Sequence, residues 1–179
     1  MNNTPPRILP TPVDKIQYHR NIMFWSGTLT LTIDLTPTPL QTPSKMKTLA
    51  SILPSYKPYT HAIKLAIRPS AYSPLSTLEY SAHLSDFKLL ISQINKFEKV
   101  QELHMTLVIG KWTNDFSQLR FCAGLYGLRR MKWSLAYRVE GVEGVGLQEI
   151  EPECCFMRWL VRVYWREIVG GGGLERIVE

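Results

Sequence analysis

Five segments of the chain alternate apolar and polar residues with a period of two, which is typical of strands that bury one face. They are residues 25–35, 62–68, 102–109, 131–140 and 157–166. The last segment also matches a helical template through Phe156, Trp159, Leu160, Val163 and Tyr164. We interpret it as a fifth strand because its odd-numbered positions are all apolar and because Val, Trp and Tyr favour strands. This alternation places four tryptophans on the inward side: Trp25, Trp133, Trp159 and Trp165.

Helical patterns separate the first four of these strands. Residues 44–53 are followed by Pro54, which cannot continue a helix. Ser85 and Asn114 are predicted N-caps of helices over 85–97 and 114–126, and an aspartate follows each of them in the first turn. The expected order is β-α-β-α-β-α-β, then an irregular connector (141–152), then β.

The clean alternation also predicts the layers of the fold. Strands of a doubly wound parallel sheet are buried on both faces and are continuously apolar, which these are not. We therefore expect an α/β or α+β two-layer domain with a five-stranded sheet, helices on one face and the other face open. If every helix lies on one side, right-handed crossovers make neighbours in sequence neighbours in space, as in a short repeat of strand–helix units. The alternative is an α+β sandwich with some antiparallel pairs.

Length and composition indicate one domain in 179 residues, which we place at 13–169. Residues 1–12 are rich in Pro, Asn and Thr and are predicted as a disordered arm, while Gly170 begins a run of four glycines that opens a linker and tail over 170–179. The N-terminus lacks a signal-peptide pattern, and adjacent Cys154 and Cys155 argue against a disulfide framework. We expect a cytoplasmic or nuclear protein that is neither secreted nor membrane-bound.

One stretch of the chain carries a family resemblance. The sequence Phe116-Ser-Gln-Leu-Arg-Phe-Cys-Ala-Gly-Leu-Tyr-Gly-Leu, followed by the strand from Lys132 to Gly141, resembles the end of an uncharacterised family of small proteins from filamentous fungi. Those proteins are similar to detached fragments of degenerate F-box-type repeat proteins, with leucine-rich-like strand–helix units. The resemblance covers about Asn95 to Gly141. It implies a binding role and supplies no catalytic residue.

The open sheet face is the candidate binding surface. The chain has a net charge of +6, and basic residues on this face outnumber the acids Asp34, Glu102 and Glu140. The candidate binding residues are Lys64, Arg68, His104, Lys132, Arg138, Arg158, Arg162, Tyr164 and Arg166. Arginine suits phosphate and carboxylate, and Tyr164 between two arginines is placed to stack a base or contact a side chain. The alternative is an ordinary solvated strand surface of Thr and Arg.

Patterns for catalysis are weak by comparison. The four histidines have no metal-ligand spacing, the chain has no G-x-S-x-G elbow, and the glycines Gly141, Gly144 and Gly146 do not open a capped helix. We therefore expect a non-catalytic protein-interaction module without metal or cofactor. The alternative is binding of RNA or single-stranded nucleic acid on the same face, which requires an outward aromatic residue and a salt-dependent affinity.

Overall fold

The structure is a computed structural model that describes residues 19–35, 44–69, 77–110, 116–142 and 146–170. The predicted arm (1–12), the predicted cap Asn114 and the tail beyond Gly170 lie outside the described residues. The strands and helices are β1 (Ile22–Trp25), β2 (Thr28–Asp34), α1 (Lys45–Ile52), β3 (Ala62–Arg68), α2 (Thr77–Ile94), β4 (Glu102–Gly110), β5 (Lys132–Glu140), β6 (Gln148–Glu149) and α3 (Cys155–Val163). Two 3-10 helices (Leu53–Tyr56 and Phe116–Gly127) and a π-helix (Tyr164–Val169) complete the described elements.

The strands form one mixed sheet in the order β1-β2-β3-β4-β5-β6. Strands β2 to β5 are parallel, while β1 and β6 pair antiparallel at the two edges. Sequence neighbours are therefore spatial neighbours, as expected when all crossover helices lie on one side. The predicted two-layer α/β architecture is confirmed, with six strands rather than five.

The core lies between the sheet and the helices. Inward residues of the central strands are buried almost completely: Leu29, Leu31, Ile33, Ile63, Leu65, Ile67, Leu103, Met105, Leu107 and Leu135. They pack with the buried sides of α1, α2 and the 3-10 helix Phe116–Gly127 in one apolar cluster. The alternate residues, including Thr32, Lys64, His104 and Ser134, are exposed. One sheet face is thus covered and the other is open.

The prediction of a single strand over 25–35 is wrong at its start, where the chain forms a hairpin. Ser26 and Gly27 both have positive φ (47° and 76°), as a two-residue type I′ turn requires. The turn reverses the chain, and Trp25 pairs with Thr28 on the open side. Trp25 is therefore 79% exposed instead of buried in the core.

The predicted start of the second helix is also wrong. Helix α2 begins at Thr77, and Ser85 lies within it rather than at its N-cap. Asp86 is only 4% exposed, and its Oδ1 lies 3.2 Å from Lys47 Nζ of α1. Asp86, which was predicted in the first turn of a helix, therefore forms an ion pair between two helices. A buried carboxylate requires such a partner.

The third predicted helix, 114–126, is a 3-10 helix over Phe116–Gly127 rather than an α-helix. It approaches α2 closely at Gly124, where a Cβ atom would lie 2.7 Å from Phe87 Cδ1. A glycine at this position lets the two elements pack directly against each other.

The predicted fifth strand, 157–166, is wrong. Residues Cys155–Val163 form α3, and Cys154 is its N-cap, with Sγ accepting a hydrogen bond from the Met157 backbone N–H at 3.5 Å. Met157, Leu160 and Val163 are the buried side of this helix. The spacing of three residues between these buried side chains is typical of a helix and does not match the alternation of a strand. Trp165, which the alternation placed in the core, is 53% exposed.

Candidate functional site on the open face of the sheet

The parallel register arranges the open face into rows that cross the strands. One row consists of small side chains, and we call it the trough: Thr32, Ala66, Thr106 and Ala136. The row on one side of the trough is polar and includes two longer side chains, Lys64 and His104, with Thr30 and Ser134 at its ends. On the other side lie Arg68, Val108 and Arg138. A depression therefore runs across the sheet, perpendicular to the strands, because residue size changes from row to row.

A cavity of about 760 Å³ follows the β3–β5 part of this trough. Its floor includes Ala66 and Ala136, and its borders include Lys64 and Arg138. The end beyond β5 is formed by Leu147 and Glu149, and Glu149 pairs with Ala136. The cavity is of the size that ordinarily holds a small molecule or part of a peptide.

Three large apolar side chains are exposed at the two ends of the open face. Met23 (63% exposed) and Trp25 (79% exposed) pair with Thr30 and Thr28, which places both on the open side of the sheet. Leu147, 61% exposed, lines the trough at the opposite end. Single exposed apolar residues are common, but these three share one uncovered sheet face with a cavity, and such exposed apolar residues beside polar ones are typical of an interaction site.

The open face carries balanced charge. Its cations are Lys64, Arg68, Lys132 and Arg138, and its acids are Asp34, Glu102, Glu140 and Glu149. Arg68 Nη2 lies 2.5 Å from Glu140 Oε1, and Arg68 Nη1 lies 4.0 Å from Asp34 Oδ2. The prediction of a basic face is therefore wrong. Three of the arginines assigned to this face belong to α3 and the π-helix, and acids on other strands offset the cations that remain on the sheet.

His104 is held at the border of the trough by its neighbours on the sheet. Its Nδ1 lies 2.7 Å from Ser134 Oγ, and its Nε2 lies 3.5 Å from Glu102 Oε2. Serine, histidine and carboxylate in contact also occur in hydrolases, where the acid and an oxyanion hole complete the site. Here all three side chains are open to water. We interpret the contacts as orienting the imidazole towards a bound partner.

Five of the nine predicted binding residues lie on the open face: Lys64, Arg68, His104, Lys132 and Arg138. The other four do not, because they belong to α3 and the π-helix: Arg158, Arg162, Tyr164 and Arg166. Tyr164 packs in an aromatic cluster, with its ring centroid 5.7 Å from that of Tyr126, and Arg166 Nη2 lies 3.0 Å from Glu167 Oε1. Sequence reasoning missed Met23, Trp25 and Leu147. The Ser26-Gly27 pair was the signal that could have found the first two.

Other site chemistries receive no support from the part of the chain that the structure describes. Within it, no group of three or more His, Cys, Asp or Glu residues could hold a metal ion. Cys122 is fully buried, and burial raises the pKa of its thiol well above the usual range, so it is an unreactive core residue. None of the described helices combines the length and the apolar character needed to cross a bilayer.

Comparison of the chain with protein-family models, curated proteins and solved structures gives no match. The resemblance to fragments of F-box-type repeat proteins stays a prediction.

Proposed function

We propose that this protein is a non-catalytic interaction module that binds a short segment of a partner protein in the trough, inside the cytoplasm or nucleus. The observation that carries the proposal is the row of small residues bordered by the longer side chains Lys64, His104 and Arg138, with Leu147 exposed at its β6 end. Met23 and Trp25 add exposed apolar surface on the edge strand β1 of the same face. A groove with polar groups along its sides and apolar side chains nearby matches the general anatomy of a protein interface.

The dimensions of the trough suit an extended peptide. Neighbouring strands lie about 4.8 Å apart, so the path from β2 to β6 is roughly 19 Å long. An extended chain rises about 3.3 Å per residue, so five or six residues cover that path. Because the backbone groups of a sheet point along its plane, such a segment is recognised by the side chains of the face, including Lys64, His104 and Arg138.

The charges of the open face favour protein over nucleic acid. Four cations and four acids lie on it, whereas binding to a phosphate backbone requires an excess of Lys and Arg. A partner segment of mixed charge with an apolar residue at the end that meets Leu147 complements this arrangement. Trp25 favours the nucleic-acid alternative, since an exposed indole can stack on a base.

The test is selection of peptides from a displayed random library against the wild-type protein. A trough-filled variant, Ala66→Arg with Thr106→Arg, places two long side chains in the groove. The matched control, Arg158→Ser with Arg162→Ser, changes two exposed residues of α3. We expect selected peptides to bind the wild type and the control equally and to lose at least about thirtyfold in affinity with the trough-filled variant, as loss of an interface centre does.

The salt dependence of binding separates the two partner classes. For a peptide, fluorescence anisotropy at 50 and 200 mM salt is expected to give dissociation constants within about threefold, since a balanced face releases few counterions. Selected peptides that bind the trough-filled variant as well as the wild type would refute the proposal. RNA binding that Trp25→Ala weakens, and that falls by orders of magnitude with salt, would establish the alternative.

A further inference from the structure

The helix layer, on the opposite side of the molecule from the trough, contains a second cavity of about 590 Å³. It lies between the C-terminal half of α2, the end of the 3-10 helix Phe116–Gly127 and the π-helix. We call it the basic cavity, because five cations and one acid line it: Lys57, Lys88, Lys96, Arg129, Arg130 and Glu98. None of these cations was among the residues that sequence reasoning assigned to the sheet face.

Four of these cations have no carboxylate partner among the described residues. Glu98 Oε1 accepts a hydrogen bond from Lys57 Nζ at 3.1 Å, and this contact lowers the pKa of Glu98, with a smaller contribution from the charge of Arg130. No described carboxylate oxygen lies within 4.0 Å of the charged nitrogens of Lys88, Lys96, Arg129 or Arg130. Cations grouped in this way repel one another, and a multivalent anion would relieve that repulsion.

The two walls of the basic cavity are tied together by Asn95. Its Nδ2 donates to the Gly127 carbonyl oxygen at 2.9 Å, and its Oδ1 accepts from the Arg129 backbone N–H at 3.1 Å. The asparagine therefore fixes the segment that carries Arg129 and Arg130 against the helix that carries Lys88 and Lys96. Cations on two connected elements face one space, so little has to move when an anion binds.

We propose that the basic cavity binds a small ligand that carries several phosphate groups. Its volume is that of a small-molecule site, and arginine forks with lysine ammonium groups are the donors that phosphate prefers. The cations converge on one cavity, whereas a nucleic-acid strand presents phosphates along an extended track. This ligand site is separate from the trough and does not depend on the proposed function.

The test uses inorganic tripolyphosphate as the probe, with binding measured by isothermal titration calorimetry. In Arg129→Gln/Arg130→Gln, affinity should fall about a hundredfold, because each lost charge-assisted hydrogen bond costs roughly a factor of ten. The matched control, Arg158→Gln/Arg162→Gln, removes the same charge from α3 and should bind within about threefold of the wild type. Glu98→Gln removes the acid of the cavity and should bind more tightly than the wild type.

Two further probes identify the source of the phosphates. Phosphatidylcholine vesicles with and without a multiply phosphorylated inositol lipid test a headgroup, and a single-stranded RNA tests a nucleic-acid backbone. Cavity-dependent binding of tripolyphosphate, with or without binding of the inositol lipid, supports the proposal. It is overturned if tripolyphosphate does not bind saturably, if the α3 control loses as much affinity as the cavity variant, or if RNA alone binds through Arg129 and Arg130.

Discussion

The open sheet face and the helix layer use polar residues in different ways. On the sheet, the register sets Arg68 of β3 between Asp34 of β2 and Glu140 of β5, so cations meet acids. On the helix layer, Lys88, Lys96, Arg129 and Arg130 meet around a cavity without that compensation. The positive charge in excess, +6 for the whole sequence, is therefore not spread evenly over the polar surface. A balanced face suits a partner of mixed charge, while an uncompensated cavity suits an anion.

The largest expected effect is on the free energy of unfolding, when residues on the two sides of β3 are substituted. Leu65 is 1% exposed and Lys64 is exposed, although they are adjacent. Leu65→Ala should cost about 2–5 kcal/mol of unfolding free energy, because it leaves a cavity in the core. Lys64→Ala should change that free energy by less than about 0.5 kcal/mol. Urea denaturation of both variants measures the contrast, and comparable losses would show that the outer face is covered.

A smaller contrast lies within the helix layer, between two glycines of the 3-10 helix Phe116–Gly127. A Cβ atom at Gly124 would lie 2.7 Å from Phe87 Cδ1, whereas one at Gly127 would lie 3.6 Å from Ile91 Cγ2. Gly124→Ala should therefore destabilise the protein by about 1–3 kcal/mol through overpacking. Gly127→Ala serves as the control and should change stability by less than about 0.5 kcal/mol. Equal midpoints in thermal unfolding would mean that the 3-10 helix does not pack against α2 as described.

The strands of the sheet were predictable where the residues fit the alternating pattern of a strand and no helical pattern. In β3, β4 and β5 the alternation matches no helical template, and the buried residues are those expected apart from Val108 and Ala136, which were assigned to the open face and are buried. The segment after Cys154 fits both templates, because Arg158, Arg162 and Arg166 are even-numbered and also four residues apart. Strand propensity led to the wrong prediction for this segment, because the tertiary packing of Met157, Leu160 and Val163 favours a helix.

The site was less predictable than the sheet because it depends on register. Arg68 and Glu140 lie on β3 and β5 and meet only when three parallel strands align, so the balance of charge cannot be read from either segment. The basic cavity combines residues from α2 with residues that follow the 3-10 helix Phe116–Gly127. Trp25 was predicted on the inward side by the alternation, although the local Ser26-Gly27 turn signal could have placed it on the open side.

The smallest expected effect is a pH dependence from His83 on α2. Burial lowers the pKa of its imidazole below 6.5, although the charges of Asp86 and Glu79 act in the opposite direction. The unfolded chain then binds more protons, so this contribution to stability is fully present above pH 6.5 and is lost as the pH falls towards the lowered folded pKa. His83→Gln should flatten the dependence of unfolding free energy on pH between 7 and 5. Parallel curves for the variant and the wild type would contradict the assignment.

The most direct test of the division between the two faces is residue-specific mapping of tripolyphosphate binding by backbone amide chemical shifts. We expect saturable shifts to concentrate at Asn95, Lys96, Arg129 and Arg130, with the amides of Lys64, His104 and Ser134 unchanged. Shifts that concentrate on β3, β4 and β5 instead, or that scatter over all surface cations without saturation, would contradict it.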